Sequence, residues 1–274
     1  MTTALAPTTT TTTISGGTGL RVTQARVLLS EWTKFRSLRS TVATLLVAEV
    51  LMIGLGAMFA AITANAPAGF GPGTTAVSTS LTGTFFAQLA VGVLGVLLIT
   101  GEYSTGMIRS SLTVVPSRLP MLWGKLAVFG ITVFLTMLAA SFTSFFVGQA
   151  LLGDQLNASL SDPGALRSVL GAALYLTVAG LTAIALGALL RNTAAAITTF
   201  VAVFFVIPPL TNLLPASLTD HFVQYLPSNA GAVMLDGTYG IAHPLTPWTG
   251  FAVMCTYAVV LIGFAALRLR RVDA

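Results

Sequence analysis

Few side chains in this sequence could do chemistry, and most of the candidates gather in residues 101 to 125, GEYSTGMIRSSLTVVPSRLPMLWGK. Glu102, Arg109, Arg118 and Lys125 stand there between two long apolar runs. An enzyme acting on a lipid headgroup would need polar residues converging at one membrane face, and Glu102, Arg109 and Arg118 are the candidates for that. ATP hydrolysis by a phosphate-cradling loop is excluded, because no GxxxxGK[ST] sequence occurs. HExxH is also absent, and His221 and His243 come without clustered carboxylates or a third ligand, so no metal site is expected. Neither histidine lies deep in an apolar run, where it could activate a buried serine. Cys255 is the single cysteine, which rules out a disulfide framework and a Cys/His zinc pattern. Catalysis by this chain is not expected.

The elements that carry these residues follow from composition. The 274 residues are 55% hydrophobic and 8% charged, against about 25% charged in an ordinary soluble domain. That makes the chain an integral membrane protein. Its net charge of +5 would suggest nucleic acid in a soluble protein, but here the basic residues sort by membrane side, and no nucleic-acid partner is expected. A spanning helix needs about 20 mostly apolar residues. Six segments qualify, near 41–64, 81–100, 121–150, 167–190, 194–214 and 247–267, so the expected fold is all-α with a six-helix transmembrane domain over 41–271. Pro208 and Pro209 predict a kink or early stop in the fifth span. Residues 1–20, rich in threonine and glycine, read as a disordered tail without the basic and apolar regions of a secretory signal.

Residues 21–40, RVTQARVLLSEWTKFRSLRS, repeat apolar side chains every three or four positions, among them Trp32 and Phe35, with Lys34 and Arg36 interspersed. This predicts an amphipathic helix lying in the membrane interface with its basic residues toward lipid headgroups. With the N-terminus cytoplasmic, almost every basic residue falls inside or at the inner boundary, and Arg167 alone is left outside. Both termini are then cytoplasmic, and so is the 101–125 loop. Within it Ser104 or Thr105 can cap a short helix, on which Met107, Ile108 and Leu112 share a face. Arg109 lies off that face, and Pro116 limits the helix. An apolar face standing in the cytosol needs a partner.

The same stretch resembles the loop between the second and third spans of type 2 ABC transporter permeases, which commonly reads G-E-[YF]-x-x-G-[TM]-[IL]-R-x-x-L-x-x-x-P-x-R followed by a lysine. SEWTKFRSLRS, residues 30–40, is similar to the connecting helix before the first span of that family, and PSNAGAVML, residues 227–235, to the segment before its last span. The resemblance implies a permease subunit of an ATP-driven exporter in the plasma membrane, paired with a second permease copy, identical or similar. It implies a separate cytosolic ABC ATPase that binds ATP and Mg²⁺, with no cofactor bound by this chain. Glu102, Tyr103, Gly106, Met107, Ile108, Arg109, Leu112, Pro116 and Arg118 would then form a coupling helix and its base. The alternative is a membrane structural or immunity subunit that transports nothing.

Three polar residues inside spans stand out. Glu49, about 12 Å into the first, is either protonated or hydrogen-bonded within the bundle, or a polar contact on a substrate path or dimer interface. Gln88 and Gln149 suit interhelical hydrogen bonding better than substrate binding.

Overall fold

The computed structural model describes residues 24–65, 75–104, 118–153, 158–215, 222–235 and 243–271. Helix α1 (Gln24–Ser37) precedes α2 (Arg39–Ala64), the short α3 (Ala76–Ser80), α4 (Thr84–Ser104), α5 (Arg118–Leu152) and α6 (Ala165–Leu190). The chain continues through α7 (Thr193–Val201), a π-helical turn (Ala202–Val206), α8 (Ile207–Leu210), α9 (Pro227–Ala232) and α10 (Pro247–Arg271). Six stretches among these are long and apolar enough to cross a membrane: Arg39–Ala64, Thr84–Gly101, Leu119–Leu152, Ala165–Leu190, Thr193–Leu210 and Pro247–Arg271. The all-α, six-span architecture is as expected, because a helix satisfies its own backbone in lipid and length with apolarity is then sufficient.

The second span differs at its start. Leu81 to Gly83 form a turn, and α3 stands before them, its first turn capped by the Thr75 hydroxyl accepting from the Ser78 amide at 3.1 Å. The turn lies where α2 comes closest: a Cβ on Gly83 would fall 2.0 Å from the Met52 carbonyl oxygen. The expected disturbance in the fifth span is present and has a clear origin. Pro208 and Pro209 lack amide hydrogens and crowd the carbonyls four residues earlier, and the helix widens just before them, the Ile207 amide donating five residues back to Ala202.

The fourth span is the centre of the bundle. In α6, 78% of the apolar stretch is buried, against 28% in α2, 17% in α7–α8 and 22% in α10. Its sequence is rich in alanine and glycine, which lets α4 approach closely; a Cβ on Gly95 would lie 2.6 Å from the Gly180 carbonyl. Between α6 and α7 the chain reverses at once, with Arg191 in the left-handed region at φ 53° and Asn192 capping α7 by accepting from the Ala195 amide at 3.0 Å. At the opposite end of the bundle α9 and the turn Val233–Leu235 dip back among α6 and α10, their small residues packing against Tyr175 and Met254. Beyond the fifth span Phe222 is helical and Val223–Tyr225 forms a tight turn; residues 216–221, with His221, lie outside the described residues.

Candidate functional site

The end of the bundle from which the 105–117 loop departs is where the charged residues meet. Gly106, Met107, Ile108, Arg109, Leu112 and Pro116 lie outside the described residues. Glu102 and Tyr103 belong to the last turn of α4 and Arg118 opens α5, and the side chains of all three are likewise outside the description. What is described is the platform around them.

Its centre is Glu31, a residue that the sequence did not single out. The Lys34 ammonium donates to Oε1 at 2.8 Å and the Lys125 ammonium to Oε2 at 2.9 Å, so each carboxylate oxygen has its own cation. Glu31 and Lys125 are each 4% exposed, which makes this a buried ion pair joining α1 to α5. Burial alone would push the Glu31 carboxyl up, but the Lys125 charge and the hydrogen bonds from Lys34 and Lys125 outweigh it and hold the group below the usual carboxylate range. Phe35 is buried beside the pair, its ring edge-on to Phe129 at 6.4 Å. One sequence signal marks Glu31, though not its pairing with Lys125: it is the single acidic residue of 21–40, placed three positions before Lys34. Lys125, expected on the inner side or at its boundary, is buried within the protein.

Helix α1 therefore departs from the single apolar stripe expected of it. Phe35 turns inward with Glu31, while Leu28, Leu29, Trp32 and Leu38 are exposed, as is Arg36. Two further ties hold the same end of the bundle. The Thr193 hydroxyl donates to that of Thr100 at 2.9 Å, joining the start of α7 to the last turns of α4, and the Arg268 guanidinium of α10 donates to the Leu189 carbonyl of α6.

The polar residues within the spans separate. Gln149 is bound on both sides: its amide nitrogen donates to the Ser80 hydroxyl at 2.9 Å and the Ala76 carbonyl at 3.2 Å, and its oxygen accepts from the Ala158 amide at 2.6 Å. Ser144 adds a bond to the Ser80 carbonyl at 2.7 Å, completing a knot of α2, α3 and α5. Gln88 is fully buried, and its oxygen accepts from the Tyr175 hydroxyl. Glu49 is half-buried on α2 between the exposed Leu46 and Val50, with no hydrogen bond or ion pair to any described residue. Hydrogen bonding within its own bundle is not found among the described residues, while the expectations of a protonated carboxyl and of a contact on a substrate path or dimer interface are untouched by this. His243 is exposed, and no group of three His, Cys, Asp or Glu gathers among the described residues.

Six spans around a small-residue central helix, with an ion-paired helix braced against the third span, define a polytopic membrane protein. The chain belongs to the ABC-2 family of transporter proteins, whose sequence profile matches residues 27–209, from within α1 to the paired prolines of the fifth span. Members are the non-catalytic membrane components of ABC transporters, so this chain is a transport permease and not an enzyme, and membership implies an ABC ATPase partner and a lipid environment. No curated protein matches the chain.

Proposed function

We propose that this chain is the permease of an ATP-driven exporter and that the 105–117 loop is where it takes up the ATPase stroke. The observation that carries the reading is the loop sequence itself, GEYSTGMIRSSL, standing at the end of the bundle that the Glu31–Lys125 pair and the Thr100–Thr193 bond hold together. Met107, Ile108 and Leu112 form the docking face, Arg109 a polar contact at its rim, Gly106 a position of close approach, and Glu102 an anchor at the base. A push on such a loop reaches α4 and α5 directly, and α1 through Glu31. Helix α1 lies in the cytoplasmic interface, both termini are cytoplasmic, and a second permease copy completes the path across the plasma membrane. ATP and Mg²⁺ bind in the partner subunit. Apolar spans with few internal charges suit an amphiphilic cargo.

Affinity purification of the tagged chain from its native membrane in mild detergent, with mass spectrometry of what accompanies it, tests the docking face. An ABC ATPase is expected with the native chain and is expected to be lost with Met107→Asp plus Leu112→Asp. Equal recovery with both chains would place the contact elsewhere.

A further inference from the structure

Helix α1 is arranged inside out for a helix in water. Its carboxylate, Glu31, is buried at 4% exposure, while Leu29 is 64% and Trp32 44% exposed. The outward medium at this place must itself be apolar, since a water-facing stripe of this kind gains nothing. Beneath the stripe runs a groove of about 260 Å³ between α1 and α5, lined by Leu28, Leu29, Trp32, Val128, Ile131 and Thr132. Two polar groups stand among these side chains, the Trp32 indole N–H and the Thr132 hydroxyl, and the latter is already engaged, donating to the Val128 carbonyl of its own helix at 2.7 Å. The groove wall is therefore almost entirely apolar, and its volume lies just under the range of small-molecule pockets. That size fits a segment of chain.

Charge then selects what kind of chain. Leu29, Trp32 and Arg36 fall three and four residues apart, so a cation stands at the end of the same helical stripe that forms the groove lip. Arg36 and Arg39 are both exposed, while Lys34 is engaged with Glu31. We propose that the α1–α5 groove is a lipid site, holding one acyl chain of an anionic phospholipid whose headgroup is met by Arg36 and Arg39. Bound there, the lipid fills the space behind α1 that the protein leaves open, and braces the helix that Glu31 ties to the third span. The cytoplasmic leaflet is assigned by the orientation proposed above; the site does not depend on it, and the following test reads it in either leaflet.

Trp32 is its own probe. The full chain carrying Trp123→Phe and Trp248→Phe, both exposed tryptophans, would be reconstituted in phosphatidylcholine vesicles doped with phosphatidylglycerol or phosphatidylcholine brominated on the acyl chains. Trp32 quenching is expected to saturate at low fractions of brominated phosphatidylglycerol. A preference of at least about fivefold over brominated phosphatidylcholine is expected, fivefold being the ratio that each basic contact at a membrane surface supports. Arg36→Gln with Arg39→Gln should abolish the preference, and Thr132→Phe, which fills the groove, should remove the saturating component. Quenching that is equal for the two lipids and merely proportional to their fraction would overturn the site in favour of ordinary surrounding lipid. Absence of quenching by either would overturn it too, by showing the groove covered by protein. Native mass spectrometry of the unmodified chain from mixed vesicles gives an independent readout, and retention of phosphatidylglycerol at its bulk proportion would count against the proposal.

Discussion

At the scale of single residues, Glu31 has the largest consequence. Replacing it with alanine strips the buried Lys125 ammonium of its carboxylate, and breaking a buried pair on one side costs about 3–5 kcal/mol. Glu31→Leu combined with Lys125→Met removes both charges and should recover most of that loss, since the cost lies in leaving one charge uncompensated. Thermal unfolding of the purified chain in detergent separates the cases; single and double variants of equal stability would mean the pair contributes little. The same residue sets a pH dependence. Its folded-state pKa lies below the unfolded value, which is about 4.3 for glutamate, so the stabilisation is complete above that value and is lost as pH falls through it toward the folded pKa. Between neutrality and mild acid the native chain should hold its melting temperature. Below about pH 4.3 it should lose stability more steeply than Glu31→Gln, and parallel curves would refute the coupling.

At the scale of elements, the passage from α3 into α4 is governed by one glycine. A Cβ at Gly83 would meet backbone atoms of Met52, at 2.0 Å from the carbonyl oxygen and 2.7 Å from Cα. Backbone cannot swing aside as a side chain can, so Gly83→Ala should destabilise by about 1–3 kcal/mol, the usual cost of overpacking. Gly54, within α2, has nothing within 4 Å of its Cβ direction, and alanine there should stabilise by about 0.5–1 kcal/mol through lower unfolded-chain entropy and better helix propensity. Opposite signs for the same substitution, read as shifts in melting temperature, test the packing of α2 on the turn before α4. The fifth span makes a related point. Its prolines were visible in the sequence as a disturbance, but the form taken, a widened turn before them with α8 continuing beyond, reflects which amides remained to bond.

At the scale of the whole molecule, the spans divide into a buried centre, α4 and α6, and a periphery whose outer faces need lipid or protein. Glu49 belongs to the periphery, half-buried on a helix whose neighbouring side chains are exposed. A carboxyl within a span is costly in lipid, and a second copy of the chain is the proposed cover for this face of α2. In a Cys255→Ser background, Glu49→Cys should give an intermolecular disulfide on mild oxidation in vesicles, while Ala48→Cys, whose side chain is fully buried in its own bundle, should not. Crosslinking at neither position would remove α2 from the dimer face, and crosslinking at both would show that the reaction does not report packing.

Span number and the paired prolines were legible in the residues because each follows from local properties: a helix in lipid satisfies its own backbone, so apolar length suffices, and a proline acts on the carbonyl four positions before it. Family membership was legible in the 101–125 loop for a similar reason, the motif there being short and continuous. Glu31 and Lys125 were not, being 94 positions apart, with nothing in either neighbourhood to mark them as partners. Phe35 and Trp32, three residues apart and alike in periodicity, could not be assigned to opposite surroundings until α5 was in place. Residue type and spacing determine how many helices this chain makes and what breaks them; which face of each helix is inside, and which charges lose their water, depends on contacts between segments far apart in the chain, and only the tertiary structure decides those.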